Sequence, residues 1–398
     1  MKSKLLDFVL RPPQIGSAGP LELLVLQPTP FCNLNCDYCY LLDRGSTSRM
    51  KPDVIEAAFR EVFRSGIVDQ SFNVVWHAGE PMVVGIPFYE EMLRIVEGIK
   101  PPSVGVSHSF QTNATLMTDE WCEFIKKHHF KIGVSVDGPE FIHDLHRKTR
   151  SGAGTHKKVM AGIKLLQKHR IPFDTISVLT GEALGHPDEI FNFFFENGIR
   201  NVGFNVEERE GGHSSSSLEK AGTAERLTQF MSRIYDLNVT SGNRLNVREI
   251  TRFERAVMGW SALRAKVLRF SGTQENAPFK IINVGWDGNF STFSPELLGV
   301  DVAPYGKFTF GNVLTDTFSD VMKSKKIRDV ALAIQNGIRK CENGCKYFSV
   351  CGGGSPANKI FENGTFDSSE TMHCRLHVQT LAEVVLNKIE TAASVEEG

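Results

Sequence analysis

The 398-residue chain contains no hydrophobic run that approaches the ~20 residues of a membrane-spanning helix. The apolar run in its N-terminal stretch, MKSKLLDFVLRPPQIG, is too short for a signal peptide, and Pro12 and Pro13 interrupt it. Neither sign of charge dominates, because 45 Lys and Arg residues are balanced by 46 Asp and Glu residues. These absences predict a soluble, cytoplasmic protein that binds neither nucleic acid nor a membrane.

Disulfides are not expected either, because nothing in the sequence indicates secretion. The chain has eight cysteines, and clustered thiols in a cytosolic protein are typical of metal sites. Seven of them form two groups, one near each end of the chain. Cys122 stands apart in an amphipathic helical pattern, TDEWCEFIKKHH, which predicts a small buried thiol.

Between residues 21 and 206, short β-branched runs alternate with amphipathic helical patterns. The strand-like runs are LELLVLQ (21–27), FNVVWH (72–77), GVSHSFQTN (105–113), KIGVSVD (131–137), FDTISVLT (173–180) and NVGFNV (201–206). This alternation predicts an α/β fold with a parallel sheet, either an open doubly wound sheet or a partial barrel. Ligands bind at the carboxyl ends of the strands in both folds. The three-cysteine loop, HAGEP, QTNAT and SVDGP end the first four strands, so we expect them on one rim.

The alternation stops after residue 206. A Gly- and Ser-rich connection (207–222) precedes helical stretches near 222–239 and 248–270, a hairpin in FKIINVGWDGNFSTFS and a final helix in LHVQTLAEVVLNKIETAA. We divide the chain into five segments. They are an N-terminal extension (1–20), the barrel (21–215), a helical linker region (216–278), a cysteine-containing domain (279–376), and a C-terminal helix and tail (377–398).

Cys32, Cys36 and Cys39 have the spacing C-x3-C-x2-C, with no fourth Cys and no ligand-spaced His nearby. A structural zinc site uses four ligands. Three thiolates on a [4Fe–4S] cluster instead leave one iron free to bind a substrate or cofactor. Buried thiols, or part of a zinc site, are the structural alternative. The aromatic Tyr38 before the third cysteine, and HAGEP about one βα unit later, favour the cluster.

These residues resemble the signature of the radical S-adenosylmethionine (SAM) superfamily, C-x3-C-x-aromatic-C after the first strand of a TIM-like partial (βα)6 barrel. The resemblance implies that the three thiolates hold a [4Fe–4S] cluster whose fourth iron binds the methionyl amine and carboxylate of SAM. It also implies a set of SAM contacts, although Ala78 replaces the first Gly of the family's usual motif. The contacts are Tyr38 near the adenine, Gly79, Glu80 and Pro81 at the SAM amine, and Gln111, Asn113 and Ser135 at the ribose and methionyl carboxylate.

The second group, Cys341, Cys345, Cys351 and Cys374, is a complete set of four thiolates, which suits zinc or a fully ligated [4Fe–4S] cluster. It resembles the SPASM extension of radical SAM peptide maturases, which normally ligates two auxiliary clusters. Here Ser294 and Ser355 stand where cysteines of the inner auxiliary cluster are expected. The resemblance therefore implies a C-terminal SPASM-like auxiliary iron–sulfur domain and two [4Fe–4S] clusters in total. The auxiliary cluster would be structural or carry electrons.

More of the chain, including LLVLQPTPFCNLNCDYCYL, FNVEEREGGH and CGGGSPANKIFENGTF, resembles maturases that crosslink glycine-rich ribosomal peptides into cyclophanes. The resemblance implies that a 5′-deoxyadenosyl radical abstracts a side-chain Cβ hydrogen from a precursor peptide. The peptide radical attacks an aromatic ring two residues away, and loss of an electron and a proton restores the ring. The implied partners are the precursor peptide and an electron donor such as flavodoxin or ferredoxin.

Leader recognition is expected on the barrel and SPASM surfaces or on a separate protein. Only about 20 residues precede the first strand, too few for an independent leader-binding domain.

The last step of such a crosslink needs a base. The candidates at the rim after strands four and six are Asp137, Asp144, Glu207 and Glu208. Asp137 is also typical of a turn, and the two glutamates of solvated loop charges. Arg147 and Arg150 suit binding of the SAM carboxylate or of peptide backbone, with a surface position as the alternative.

Two other functions remain open. The first is a formylglycine-forming sulfatase maturase, a class that carries both auxiliary clusters, so the missing cysteines count against it. The second is a non-catalytic metal-binding protein, for which Glu80 and Tyr38 would have no use.

Overall fold

The computed structural model describes residues 19–262 and 273–396. Most of the predicted N-terminal extension (1–20) and the end of the helical stretch 248–270 lie outside these residues. Within the described ranges, no helix combines the length and apolar character that crossing a bilayer requires.

Six parallel strands form the centre of one sheet and confirm the predicted α/β class. They are β1 (Leu23–Leu26), β2 (Ser71–Trp76), β3 (Gly105–Thr112), β4 (Lys131–Ser135), β5 (Phe173–Leu179) and β6 (Asn201–Val206). Each pairs with the next in chain order, so every connection is a crossover through the helical layer. All six carboxyl ends therefore lie on one rim, as predicted.

The sheet extends beyond the predicted six strands at both edges. The further strands of this sheet are β7 (Asn246–Val247), β8 (Ile281–Val284), β9 (Asn289–Thr292) and β12 (Gly311–Asn312). Two other strands, β10 (Asp301–Val302) and β11 (Gly306–Lys307), form a separate antiparallel pair. β7 pairs with β6, while β8 pairs in parallel with β1 and forms the predicted hairpin with β9. This pairing places the C-terminal half beside β1, the strand that leads into the three-cysteine loop.

Helices cover the sheet and build the C-terminal half. They are α1 (Pro52–Arg64), α2 (Ile86–Ile99), α3 (Asp119–His128), α4 (Glu140–His146), α5 (His156–Lys168), α6 (Pro187–Glu196), α7 (Thr223–Thr240), α8 (Arg248–Ala262), α9 (Phe318–Met322), α10 (Lys325–Gly344), α11 (Phe348–Cys351), α12 (Pro356–Asn363) and α13 (Leu381–Glu396). The predicted final helix opens with a π-helical turn, Cys374–Thr380. Thr118 caps α3 by accepting a hydrogen bond from the Trp121 amide, as its position before an apolar run predicts.

Two hydrophobic cores support this architecture. The larger core includes a cluster of aromatic rings, those of Trp76, Tyr89, Phe110 and Phe130, in which two of the contacts are edge-to-face. Cys122 belongs to it and is fully buried, which confirms the expectation for this thiol. The smaller core lies within residues 293–366 of the C-terminal half and packs α10 and α12 against β10 and the adjacent loops.

Candidate functional site

Arginines hold the backbone of the three-cysteine loop. Arg44 Nη1 donates to the Cys36 carbonyl at 2.7 Å, and Arg150 Nη1 donates to the carbonyls of Cys32 at 3.1 Å and Arg44 at 3.0 Å. The Asn35 amide also donates to the carbonyl of Lys148, in the segment that follows α4. Arg150 is exposed at the surface, and from there it braces the backbone of the loop.

The three thiols of this loop are half-buried. Burial, followed by the charge of Glu80, raises the pKa of Cys32 to about 12. Burial also raises the pKa of Cys36 to about 11, although Arg147 opposes the effect. Such thiols become thiolates when a metal replaces the proton.

The loop fits a cluster held by three thiolates. In the described ranges, no three His, Cys, Asp or Glu side chains converge on a position for a single metal ion. A [4Fe–4S] cluster does not require such convergence, because each thiolate binds its own iron. Neither a fourth cysteine nor a histidine of suitable spacing accompanies the three thiols in the loop.

The turn after β2 packs directly under this loop. Gly79 has a φ of +62°, and a Cβ there would lie 2.5 Å from the carbonyl oxygens of both Thr29 and Phe31. Only glycine fits this close approach. Ala78 also has a positive φ, +68°, so the residue that departs from the family motif occupies a conformation that glycine adopts more easily.

Glu80 lies under the rim, with 1% of its surface exposed. Its carboxylate accepts hydrogen bonds from Met82 N at 3.1 Å, Thr112 Oγ1 at 2.7 Å and Asn113 N at 2.8 Å. Burial raises the pKa of Glu80 to about 7, against the effect of these bonds. A carboxylate offers about four lone-pair sites, so one remains for the ammonium group that the resemblance assigns to it. The Pro81 carbonyl, in contrast, accepts from Tyr89 Oη.

The other predicted SAM contacts lie at the ends of β3 and β4. Gln111 Nε2 donates to Ser135 Oγ at 3.0 Å, so the structure brings these two side chains together. Asn113 Nδ2 donates to Asn33 Oδ1 at 2.9 Å and lies 3.9 Å from Cys32 Sγ. Asn113 therefore connects the rim to the cysteine loop.

Tyr38, Asp137 and Arg147 form a buried network. Arg147 makes a bidentate ion pair with Asp137, with Nε–Oδ2 and Nη2–Oδ1 distances of 2.9 and 3.0 Å. Tyr38 Oη donates to the same carboxylate, and the guanidinium carbon lies 5.4 Å from the Tyr38 ring centroid. Burial alone would raise the pKa of Asp137, but Arg147, His143 and Tyr38 together lower it. A carboxylate held in this way is a weak base, and its arginine is not at the surface.

Three other bases were predicted. Asp144 accepts from the His156 amide at the start of α5 at 2.8 Å, and the two glutamates have different surroundings. Glu207 is buried and accepts from Ser217 N at 2.8 Å and His213 Nε2 at 3.1 Å, which folds the 207–217 connection. Glu208 faces the C-terminal half, where Asn358 Nδ2 donates to it and His373 Nε2 lies 3.6 Å away. Of these two glutamates, Glu208 is the one that contacts the C-terminal half.

Glu208 belongs to a set of four carboxyl groups that we call the carboxylate cluster: Glu208, Glu210, Glu275 and Glu296. Burial, together with the neighbouring carboxylates, raises the pKa values of Glu210 and Glu275, and that of Glu296 to about 8. Burial raises the pKa of Tyr40, and the charges of Glu296, Cys39 and Glu210 raise it further. The cluster therefore borders the cysteine loop.

Ser294 and Ser355 both donate to Glu275, Ser294 at 2.9 Å. These are the serines that stand where cysteines of the inner auxiliary cluster are expected. Sequence reasoning missed Glu210, Glu275 and Glu296 because they come from separate segments. The two serines were the available signal, since both point to this position.

The four C-terminal cysteines lie near enough to interact electrostatically. Cys341 lies in the last turn of α10, Cys345 follows that helix, Cys351 lies in α11, and Cys374 begins the π-helical turn. Burial raises the pKa values of Cys341 and Cys374, and Cys345 and Cys351 act on both.

Two side chains that the sequence did not single out lie beside these cysteines. Lys359 Nζ lies 3.6 Å from Cys341 Sγ, and Gln379 Nε2 lies 3.5 Å from Cys374 Sγ. Burial lowers the pKa of Lys359, and Cys341 opposes that effect. No three of these thiols converge on a position for a single ion, as zinc would require, so the arrangement fits a [4Fe–4S] cluster, in which each thiolate binds its own iron, better than zinc.

Several known proteins are similar to this chain in sequence and in fold. Residues 26–194 match the family model described as the Radical SAM superfamily. An uncharacterized protein of Synechocystis sp., sll1766, is 41% identical over 385 residues, which cover 96% of this chain and 95% of that protein. The serine-type anaerobic sulfatase-maturating enzyme of Bacteroides thetaiotaomicron is 25% identical over 388 residues, covering 92% of this chain and 90% of that enzyme.

A solved structure, native anSMEcpe with bound AdoMet and Cp18Cys peptide, superposes with a TM-score of 0.73 at 22% identity, covering 94% of this chain and 99% of that one. The parallel α/β barrel with a C-terminal SPASM-like extension, predicted from the sequence, is therefore confirmed as the fold. The match to the family model therefore places residues 26–194 of this chain in the radical SAM superfamily.

Proposed function

We propose that this protein is a radical SAM oxidoreductase that modifies a ribosomal precursor peptide by joining a side-chain Cβ to an aromatic ring, forming a cyclophane. The observation that carries the proposal is the carboxylate cluster. Its Glu275 accepts hydrogen bonds from Ser294 and Ser355, the two serines that stand where the resemblance expects cysteines of an inner auxiliary cluster, and the carboxylate cluster borders the cysteine loop. A peptide substrate is supported by anSMEcpe, which shares the fold and was solved with a bound peptide.

Cys32, Cys36 and Cys39 would hold the SAM-binding cluster, and the rim residues Glu80, Gln111, Asn113 and Ser135 would orient SAM. When bound, the cluster and SAM supply the radical chemistry that removes a hydrogen atom from the peptide. The network of Arg147, Asp137 and Tyr38 fixes the wall of this site. It places a rigid aromatic ring beside the loop.

The carboxylate cluster would accept the proton that the ring loses after the bond has formed. The crosslink removes two hydrogens from the peptide. One would leave as a hydrogen atom, to the 5′-deoxyadenosyl radical, which becomes 5′-deoxyadenosine. The other would leave as a proton, to the carboxylate cluster, and an electron, to an oxidised [4Fe–4S] cluster held by the four C-terminal cysteines. A general base works best when its pKa is close to the working pH. Glu296, whose pKa is about 8, fits this role better than Asp137, whose pKa is lowered.

Glu296→Gln should therefore lower the yield of crosslinked peptide by at least about 100-fold while 5′-deoxyadenosine is still released. In the parent enzyme, crosslinking should increase as the pH rises toward about 8, because the base must lose its proton. The variant should lose this increase. The exposed Glu370, paired with Arg375, provides the matched control Glu370→Gln, which should behave as the parent. Equal crosslinking by Glu296→Gln and the parent would contradict the assignment.

A second candidate function is formylglycine formation on a sulfatase. It is supported by the 25% identity to a sulfatase-maturating enzyme over 92% of the chain. The hydrogen bonds of Ser294 and Ser355 to Glu275 support the crosslinking alternative, because the resemblance associates sulfatase maturases with cysteines at both auxiliary clusters.

Product mass distinguishes the two. The reconstituted enzyme would be incubated with SAM, a reductant and one of two peptide probes. The first is a glycine-rich peptide with an aromatic residue two positions from its crosslinking partner. The second is a sulfatase-type peptide that contains Cys or Ser. We expect the glycine-rich peptide to lose two hydrogens and to resist fragmentation between the joined residues. Oxidation of Cys to formylglycine removes sulfur. Oxidation of Ser also removes two hydrogens, but its aldehyde reacts with a hydrazide. A hydrazide-reactive product, with the glycine-rich peptide unchanged, would overturn the crosslinking proposal.

A further inference from the structure

Lys359 is a buried cation without an anionic partner of its own. Only 3% of its surface is exposed. Its Nζ forms one hydrogen bond, to Cys341 Sγ at 3.6 Å, and no carboxylate of the described chain pairs with it. By contrast, Lys388 pairs with Asp236 at 2.6 Å. Burying an unpaired charge costs several kcal/mol, so buried cations in proteins normally face an anion.

The surroundings of Lys359 leave room for its ammonium group on the cysteine side. A Cβ at Gly337 would lie 3.0 Å from Lys359 Nζ and 2.2 Å from the Phe366 carbonyl, so glycine keeps this space open. The thiol groups of Cys341, Cys351 and Cys374 all act electrostatically on Lys359. The ammonium group therefore faces the centre of the four-cysteine site.

We propose that Lys359 tunes the reduction potential of an iron–sulfur cluster held by Cys341, Cys345, Cys351 and Cys374. Four thiolates give an oxidised [4Fe–4S] cluster two net negative charges, and reduction adds a third. A buried ammonium group, which also donates a hydrogen bond to a ligand sulfur, stabilises the reduced state more than the oxidised state. Lys359 thereby makes the cluster easier to reduce. This inference rests on the auxiliary cluster of the proposed function, but not on the peptide reaction.

The test uses the full chain with Cys32, Cys36 and Cys39 replaced by Ala, so that only the C-terminal site can hold iron. After anaerobic reconstitution, the cluster is titrated with a reductant at controlled potential and followed by electron paramagnetic resonance. We expect Lys359→Met to lower the equilibrium constant for reduction at least tenfold, or about 59 mV for one electron. The reduction potential of Lys359→Arg, which keeps the charge, should stay close to that of the parent. Lys340→Met, at an exposed lysine next to Cys341, should change little.

An unchanged potential in Lys359→Met would overturn the proposal. Failure of Lys359→Met to take up iron, with normal uptake by Lys359→Arg, would support a need for the positive charge. If neither variant takes up iron, Lys359 has a packing role, and the proposal is overturned as well. Zinc in place of iron would overturn the redox role. Because no peptide is present, failure to crosslink a peptide would leave these results unaffected, and the two proposals can fail separately.

Discussion

Replacing Arg147 by Met should lower the free energy of unfolding by about 3–5 kcal/mol, because it leaves the buried Asp137 carboxylate without its cation. The two side chains are 9% and 2% exposed. The substitution also removes both hydrogen bonds of the ion pair and the contact between the guanidinium and Tyr38. Urea unfolding of the protein without cofactors measures the loss.

The matched control makes the same substitution in an exposed ion pair. Arg60 pairs with Glu56 at 2.6 Å, and their side chains are 51% and 45% exposed. Arg60→Met should cost no more than about 1 kcal/mol. The double variant Asp137→Asn/Arg147→Met should recover part of the loss, because no charge remains buried. Similar losses in Arg147→Met and Arg60→Met would contradict the account of the network.

The contribution of Asp137 to stability should depend on pH with opposite signs in Arg147→Met and in the parent protein. In the parent, the pKa of Asp137 is lowered, so its contribution to stability is present above the ordinary carboxyl range and is lost as the pH falls. In the variant, burial acts without the opposing cation and raises this pKa. Relative to the parent, the variant should therefore lose stability as the pH rises from about 5 to about 7.

Replacing Cys32, Cys36 and Cys39 by Ala should abolish 5′-deoxyadenosine formation. The loop would then offer no thiolate to hold a cluster, and the C-terminal site, with four protein ligands, leaves no iron free for SAM. Chromatography of reconstituted enzyme with SAM and dithionite measures the product. The control is Cys122→Ala, which removes a fully buried thiol away from both sites and should retain SAM cleavage. SAM cleavage by the triple variant at the parent rate would contradict the assigned role of the loop.

The sequence was sufficient to predict features that have a local cause. Strand six was predicted at 201–206 and is Asn201–Val206, because an alternating β-branched run fixes its own conformation. The strand predicted at 131–137 ends at Ser135. Asp137 lies beyond the end of this strand, and its side chain forms an ion pair with Arg147. The rule that ligands collect at the carboxyl ends of parallel strands correctly placed the cysteine loop and HAGEP on one rim.

Features that depend on distant parts of the chain were not predictable in this way. The hairpin at β8 was expected, but its parallel pairing with β1 has no local signature, since any apolar strand can pair at a sheet edge. For Arg147 the sequence suggested binding of the SAM carboxylate or of peptide backbone, with a surface position as the alternative, because its partner Asp137 is visible only in the folded chain. The carboxylate cluster combines Glu275 with residues from the loop after β6 and the loop after β9, and no spacing in the sequence joins them.

The count of iron and labile sulfide per chain after anaerobic reconstitution tests the account most directly. It should be made on the parent, on the Cys32/Cys36/Cys39→Ala variant and on a Cys341/Cys345/Cys351→Ala variant. We expect about eight irons in the parent and about four in each variant, as two independent [4Fe–4S] clusters require. About four irons in the parent, all lost with the first three cysteines, would remove the auxiliary cluster and its tuning by Lys359. No iron in any of the three proteins would contradict the radical mechanism itself.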